Sequence, residues 1–264
     1  MDVAPVTYSA LALSFLLPVI PLAIGLFLGL SFIRPLLFAT VRMSVQLLLV
    51  SFFLQYLFTL NRPLLNIAWL VLMVMVAVMS AVQQSELNLK RFMLPTFSAF
   101  MLATFIVVLY LNIVVIRLDR VFDARYLVVL GGMVLGNSLR GTIVGLGTFY
   151  TNIRKDYAHY LYLLSLGARQ HEALRAYVYE SVYLSLKPTI AAMTTMGIVS
   201  LPGMMTGVIL SGTDPVMAVR YQIMIMMGIV AATFLSVMLT IIITARMCFS
   251  PYGTLENDLF IKKP

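Results

Sequence analysis

Long apolar runs alternate with short charged or turn-forming segments along the whole of this 264-residue chain. About 20 consecutive apolar residues cross the hydrocarbon core of a bilayer. Runs long enough to do so predict seven helices, at about residues 9–33, 36–60, 64–83, 96–116, 126–148, 188–211 and 220–245. Several of the segments between them contain Pro, Asn or Asp, which favour turns. We therefore predict an all-α integral membrane protein of about seven transmembrane helices, built as a single domain over residues 1–264.

Composition supports this reading and argues against other classes of protein. Hydrophobic residues make up 61% of the chain and charged residues 11%, whereas soluble domains are about 25% charged. The formal net charge of +8 could indicate nucleic-acid binding. The basic residues are, however, spread between apolar runs, and they form no basic cluster with interleaved aromatic residues. The sequence therefore predicts the lipid bilayer as its environment and no nucleic-acid partner.

Lysine and arginine are shared unevenly between the connecting segments, which predicts the orientation of the chain. Cytoplasmic segments of membrane proteins carry an excess of these residues. With the N-terminus outside, the cytoplasmic segments hold eleven of them: Arg34, Lys90, Arg91, Arg154, Lys155, Arg169, Arg175, Lys187, Arg246, Lys262 and Lys263. The outer segments then hold five: Arg62, Arg117, Arg120, Arg125 and Arg220. We therefore expect the N-terminus outside and the C-terminus in the cytoplasm.

The sixth predicted helix, at about 188–211, contains a break. The 26 residues between Lys187 and Asp214 carry no charge, yet the string Ser200-Leu201-Pro202-Gly203-Met204-Met205 lies within them. Proline removes a backbone donor, and in lipid this is tolerated only where protein or a water-lined cavity satisfies the backbone. Broken helices of this kind line substrate paths in transporters. The alternative is that the Pro-Gly pair only kinks the helix.

Two polar residues of the fifth predicted helix are further candidates for the substrate path. Asn137 and Arg140 are three residues apart, so they could share one face of that helix. Ionisable groups inside a membrane are costly and are functional by default. Arg140 could contact an anionic ligand or steady a cytoplasmic gate, or its side chain could reach to the inner interface. Glu86 could relay a cation or stand as a solvated interfacial carboxylate.

A polar segment at about 151–186 is predicted to lie in the cytoplasm as a helix–Gly–helix element. Gly167 suits the left-handed residue that ends a helix, and a second helix is expected to start near Arg169. The residues of interest at this turn are Leu164, Ser165, Leu166, Gly167, Ala168, Arg169 and Glu172. A plain amphipathic helix at the membrane surface is the alternative.

Motifs for catalysis and for ATP binding are absent from the sequence. It has no G-x-x-x-x-G-K-[ST] string, its two histidines are not in zinc-binding spacing, and it has no Cys-x-x-Cys. We expect no enzyme activity and no cofactor in the chain itself. The 18 methionines include several near the break, and their thioethers could suit Cu(I), although packing is the favoured role. Metal ligands cannot be named from the sequence.

Several strings of residues resemble the bacterial iron-export ABC permease family, and the plant aluminium-tolerance permeases are similar. The resemblance covers roughly 131–243 and is carried by Gly132-Met133, Gly136-Asn137-Ser138, Leu164-Ser165-Leu166-Gly167-Ala168, the run 197–207, Asp214-Pro215 and Tyr221-Gln222-Ile223. The string Leu164-Ser165-Leu166-Gly167-Ala168 also resembles the second half of the loop by which many ABC permeases dock their ATPase, but the acidic residue of that loop, expected near Tyr162, is missing here.

The resemblance implies a permease subunit of an ATP-driven exporter for iron or a related metal ion. Members of such a family pair with a separate cytoplasmic ATPase subunit, which would use ATP and dock at the helix–Gly–helix element. Two permease copies would form a homodimer in the bacterial plasma (inner) membrane. Spacing and periodicity do not themselves show the cargo or the direction of transport.

Two other classes of function remain open at this stage. A secondary carrier or channel that works without ATP is supported by the polar set Arg42, Gln46, Glu86 and Asn137. Inverted repeats would favour such a carrier, and none is evident in the sequence. A signalling or scaffold protein is a third possibility, and the Pro-Gly break argues mildly against it.

Overall fold

The structure is a computed structural model and describes residues 7–250 and 253–255. Within these residues the chain forms helices and no strand. The helices are α1 (Tyr8–Ser14), α2 (Val19–Phe27), α3 (Ile33–Leu60), α4 (Pro63–Gln84), α5 (Leu89–Tyr110), α6 (Ala124–Lys155), α7 (Tyr157–Ser165), α8 (Gln170–Thr195), α9 (Gly203–Leu210) and α10 (Pro215–Cys248). A π-helical turn, Leu111–Val115, continues α5.

Six helical segments among the described residues are long and apolar enough to cross a membrane. They are Ser9–Phe27, Ile33–Leu60, Pro63–Gln84, Leu89–Val115, Ala124–Lys155 and Pro215–Cys248. Each corresponds to one of the predicted helices, so the prediction of an all-α, multi-pass membrane protein is confirmed. The first is interrupted by a turn between α1 and α2, and α6 extends well past the predicted end near 148.

The region predicted as a sixth membrane helix at about 188–211 is organised differently. Helix α8 starts at Gln170, passes through Lys187 and Pro188, and ends at Thr195. The second half of the predicted helix–Gly–helix element and the first half of the predicted membrane helix are therefore one helix. Proline is compatible with a helix interior where neighbouring groups compensate for the lost donor, so Pro188 does not end α8. The chain breaks instead over residues 196–202, before α9 begins.

Helix α10 lies at the centre of the bundle, where it packs against α5, α6, α8 and α9. Helix α4 covers the other side of α5 and α6. Large aromatic side chains fill the interior, and the ring of Tyr150 meets the rings of Phe92 and Phe149 edge-to-face, with centroids 5.1 Å apart in each pair. Aromatic pairs in this geometry add to the stability that comes from burial alone.

Two glycines of α6 allow α8 and α10 to approach closely. A β-carbon on Gly141 would collide with the Thr233 side chain of α10 and would touch the Ser185 carbonyl oxygen of α8. A β-carbon on Gly145 would lie 2.8 Å from a methyl carbon of Val237. Small residues four apart commonly permit such close packing of membrane helices. This pair therefore serves contacts within one chain.

Helix α3 has few neighbours in the chain. Leu57 is its only buried residue, although the helix has 28 residues and is strongly apolar. Arg42 and Gln46 lie on this exposed helix, one turn apart. An apolar helix of this length needs lipid or another protein surface against it.

The two ends of the bundle are held by hydrogen bonds between distant parts of the chain. At one end, Asn61 Nδ2 donates to Asp123 Oδ2 at 2.8 Å, and the Ala124 N–H donates to Asn61 Oδ1. At the other end, α7 is bound by the residues that follow α10. This C-terminal clasp consists of Phe249, Ser250, Gly253, Thr254 and Leu255, and it includes a bridge between Phe249 and Leu255.

Candidate functional site

A cavity of about 560 Å³, here called the central cavity, lies where α6, α8, α9 and α10 meet. The polar side chains in its lining are those of Asn137, Arg140, Ser185, Thr189 and Gln222. Arg140 is the only one of its lining residues that carries a charge at neutral pH. The remainder of the wall is apolar. A partly polar cavity beside a broken helix is the kind of place where membrane transporters bind their cargo.

One face of α6 supplies a wall of the central cavity. Asn137 and Arg140 lie on that face together with Met133 and Val144. The amide group of Asn137 donates to the Met133 carbonyl oxygen at 2.8 Å, which leaves the Asn137 Oδ1 atom as an acceptor for a ligand. The side chain of Arg140 is exposed, and no ion pair or hydrogen bond joins it to another described residue. Its guanidinium group is free to contact a molecule in the cavity.

The break between α8 and α9 supplies the opposite wall. Gly197 has φ of 88°, a left-handed conformation that favours glycine, and its N–H donates to the Ser200 carbonyl oxygen at 2.9 Å. Pro202 precedes the first turn of α9 and makes no side-chain cap. The first N–H groups of a helix have no partner within it, and Gly203 and Met204, whose N–H groups open α9, line the cavity. The break therefore places the uncapped start of α9 in the wall of the cavity.

The structure brings together most of the residues predicted to line the path. The central cavity is lined by Asn137, Arg140, Pro202, Gly203 and Met204. Met205 lies instead in the walls of two adjoining cavities. Ser200 is in the loop before α9 and does not belong to the lining of any of these three cavities.

Gln222 of α10 lines the site, although it was not among the residues predicted for the substrate path. It is buried, with 8% of its surface exposed, and it lines the central cavity and both adjoining cavities. Its Nε2 atom lies 3.9 Å from the sulfur of Met196 at the end of α8. Two signals were available: its place in the string Tyr221-Gln222-Ile223, which carries part of the family resemblance, and a lone amide inside an apolar run, which is commonly an interhelical contact in membrane proteins.

Methionine side chains dominate one adjoining cavity, of about 320 Å³. Its wall includes Met193, Met196, Met205, Met226 and Met227. Several methionines of the region also pack against a buried apolar cluster of α6 and α10, which is the packing role favoured from the sequence. In the described part of the chain, no group of three or more His, Cys, Asp or Glu side chains comes together to hold a metal ion.

The predicted helix–Gly–helix element is present at one end of the bundle. Helix α7 ends at Ser165, and Gly167 follows with φ of 89°. The Gly167 N–H donates to the Leu164 carbonyl oxygen and the Ala168 N–H to the Leu163 carbonyl oxygen, which closes the helix end. Leu166 stands at the tip of this turn with 66% of its surface exposed. The turn therefore leaves the Leu166 side chain accessible from outside the chain.

The two residues beyond the turn begin α8. The Glu172 carboxylate accepts a hydrogen bond of 2.7 Å from the Arg169 N–H, as in a capping box. Both side chains are exposed. Glu172 therefore fixes the point at which α8 starts.

Leu164 differs from Leu166 because it faces the C-terminal clasp. A β-carbon on Gly253 would lie 2.9 Å from a methyl carbon of Leu164, so the clasp is pressed against this side chain. The Tyr160 hydroxyl donates to the Gly253 carbonyl oxygen at 2.8 Å, and the Leu255 N–H donates to the Tyr157 hydroxyl at 3.2 Å. Of the residues predicted at the docking element, Leu164 is thus engaged within the chain, whereas Leu166 is available to a partner.

The four polar residues that could have indicated a carrier do not come together at one site in the structure. Arg42 and Gln46 are exposed on α3, away from the central cavity. Glu86 lies in the turn after α4 with φ of 58° and does not line the cavity. Asn137 alone among these residues lies in its wall.

Comparison with known proteins places the chain among membrane proteins of one family. Residues 8–249 match the family described as Uncharacterised protein family (UPF0014). The chain is 32% identical to UPF0014 membrane protein slr1647 of Synechocystis sp., with 88% of each chain covered. It is 28% identical to the Probable iron export permease protein FetB of Escherichia coli, with 93% of each covered.

A plant protein is similar to this chain over a shorter stretch. Protein ALUMINUM SENSITIVE 3 of Arabidopsis thaliana is 33% identical over 115 residues, which is 44% of this chain and 42% of the plant protein. No solved structure matches the chain significantly.

Proposed function

This chain belongs to the UPF0014 family, and on that basis we propose that it is the transmembrane permease subunit of an ATP-driven exporter. Its cargo is iron or a related metal ion. A separate cytoplasmic ATPase subunit binds and hydrolyses the ATP. Two copies of the permease enclose the translocation path.

The central cavity beside the α8–α9 break is the observation that carries the proposal. Backbone groups that leave a helix at membrane depth are costly unless they line a protein or water-filled cavity. Here the break puts Gly203 and Met204 into the wall of a cavity that also contains Asn137 and Arg140. A transporter needs such a cavity, whereas a protein that only anchors or acts as a scaffold does not.

The continuity of α8 supports coupling between the ATPase and the path. This helix has 26 residues, a length of about 39 Å at 1.5 Å per residue. One end follows the Gly167 turn, where the ATPase would dock, and the other end carries Met196 into the central cavity. A movement of the docking turn therefore displaces the cavity wall as a rigid body, which is a known scheme for alternating access.

The names of two relatives support export as the direction of transport and a metal ion as the cargo. The relative from Escherichia coli is named as an iron export permease, and the relative from Arabidopsis thaliana is named for sensitivity to aluminium. Both names concern metal ions, so a metal ion is the cargo class we assign to this chain.

Exposed surfaces support the pairing of two permease copies. Helix α3 buries only Leu57 within its own chain. The wall of the central cavity described here comes from one copy, and a second copy facing it would complete the path. Arg42 and Gln46 on α3 would gain polar partners in such a dimer, which membrane helices require for polar side chains.

The test is the metal content of cells that express this chain with its cognate ATPase under iron load. Lower cell iron on expression, lost when the ATPase is made inactive, is the expected result. An unchanged iron content with copurifying subunits would keep the ATP-driven permease and remove iron as cargo. Transport into ATP-free vesicles that is driven by an ion gradient would instead show a secondary carrier.

A further inference from the structure

Charge in the three cavities around the break is of one sign. Among the residues that the structure describes, no Asp, Glu or His lines these cavities, and Arg140 is the charged residue of the central cavity. A narrow, low-dielectric cleft lined by one sign of charge concentrates its field and attracts ions of the opposite sign. A bare metal cation would meet repulsion from Arg140 and no carboxylate to compensate for its lost hydration.

The backbone adds positive potential on the opposite wall. Helix α9 has eight residues and begins at Gly203, so its N-terminal end carries the positive pole of the helix dipole. Pro202 gives it no side-chain cap, and Gly203 and Met204 line the same cavity as Arg140. Half-helices whose N-termini point at acidic groups of the substrate occur in other membrane transporters.

Neutral donors complete the surroundings of Arg140. The side chains of Thr189 on α8 and Gln222 on α10 line the same cavity. Within the described part of the chain, Gln222 Nε2 has the Met196 sulfur as its one partner, at 3.9 Å, and a thioether sulfur is a weak acceptor. An oxyanion in the cavity would offer these donors a much stronger one.

We infer that the central cavity binds the cargo through a carboxylate or phosphate group and that the cargo enters with net negative charge. The guanidinium group of Arg140 is the principal contact. This inference deepens the proposed function, on which it rests, because a metal ion would then travel within an anionic chelate. Arg140 lies one helical turn before Ile143, whose carbonyl oxygen accepts from the Ser85 hydroxyl at the end of α4. In the predicted orientation this places Arg140 near the cytoplasmic end of the cavity, where export begins.

The test measures binding to the purified full-length chain in nanodiscs of neutral phospholipid, by equilibrium dialysis with radiolabelled probes. The probes are iron(III)–citrate, citrate alone, inorganic phosphate and, under anaerobic conditions, Fe²⁺ without a chelator. Wild-type protein should retain at least one anionic probe. Arg140→Gln should lower its affinity about tenfold or more, because a charge-assisted hydrogen bond is lost. Arg140→Lys keeps the charge and should retain most of the affinity.

A matched control is Arg62→Gln, which removes an exposed arginine before α4, outside the linings of the three cavities, and should leave binding unchanged. If iron(III)–citrate binds and the other anionic probes do not, the anionic cargo is a metal chelate. If citrate or phosphate binds, the anionic cargo is a metal-free molecule. The inference is overturned if no anionic probe binds, if Arg140→Gln binds as well as wild type, or if Fe²⁺ alone binds more tightly than every anionic probe.

The same variants separate this inference from the proposed function. Arg140-dependent anion binding without ATP-driven export in cells would leave the inference standing and refute the exporter. Iron export that continues at the wild-type rate in Arg140→Gln would leave the exporter standing and refute the inference.

Discussion

The hydroxyl of Tyr160 donates a hydrogen bond of 2.8 Å to the carbonyl oxygen of Gly253. The bond joins residues 93 positions apart and fastens α7 to the C-terminal clasp. The ring of Tyr160 also lies against Phe249, with centroids 5.8 Å apart. The short helix that would receive the ATPase is therefore held by the end of the central helix α10.

Replacement of Tyr160 by Phe should loosen α7. The change keeps the buried ring and removes one buried hydrogen bond, which contributes about 1 kcal/mol. Hydrogen exchange should become faster at α7 and in the clasp, with the rest of the bundle unchanged. Tyr162→Phe is the matched control because the Tyr162 side chain is exposed. Equal exchange in the two variants would mean that the hydrogen bond from Tyr160 to Gly253 contributes nothing to the stability of α7.

The clasp should also respond to alkaline pH. Burial, and secondarily the nearby Tyr157, raise the pKa of Tyr160 from its ordinary value near 10 to about 12. Because the neutral phenol is favoured in the folded state, its stabilisation is complete below about pH 10 and is lost as the pH rises through about 12. Protection of α7 from hydrogen exchange, after correction for the intrinsic rate, should fall in this window in wild type. A comparable fall in Tyr160→Phe would assign the effect to another group.

A β-carbon at Gly141 should destabilise the bundle. Gly141→Ala forces α6 away from Thr233 of α10 and from the backbone of α8, and overpacking of this kind costs about 1–3 kcal/mol. Thermal unfolding in detergent is the measurement. Gly147→Ala is the control, because a β-carbon there meets no atom within 4 Å and alanine favours a helix. If the two variants unfold at the same temperature, the contact between α6 and α10 is not tight.

Replacement of Gly167 by Val should impair coupling to the ATPase and leave membrane insertion intact. The φ of 89° at Gly167 strains an L-residue and most of all a β-branched one. We expect lower ATP-dependent export at normal expression, and Gly167→Asn should be milder since Asn tolerates left-handed conformations better. Wild-type export by the Val variant would remove this turn from the mechanism.

Six membrane helices were predictable because each is a predominantly apolar run of sufficient length, and only the boundaries moved. The structure of the region around Pro188 was not predictable in the same way. Lys187 and Pro188 resemble the start of a membrane helix, yet α8 passes through both, since sequence alone does not show whether neighbouring groups compensate for a proline. The sequence therefore predicted two separate helices, one in the element at about 151–186 and one at about 188–211, where the structure has the single helix α8.

The candidate site was predictable only where its residues stand out in the local sequence. The Pro202-Gly203 break and the pair Asn137 and Arg140 stand out locally, and the central cavity brings them together. Gln222 was not among the residues predicted for the path, because its place in three cavities depends on how α10 packs against α8 and α9. Burial of Leu164 against the clasp likewise depends on a contact between distant parts of the chain.

The length of α6 has a consequence for how a soluble partner reaches the membrane. The Ser85 hydroxyl contacts the Ile143 carbonyl oxygen, so α4 ends at that level, whereas α6 continues to Lys155. At 1.5 Å per residue the protruding part extends about 18 Å further. In the predicted orientation, the α7–Gly167 turn that follows α6 stands on the cytoplasmic side of the end of α4, where a soluble partner can approach it.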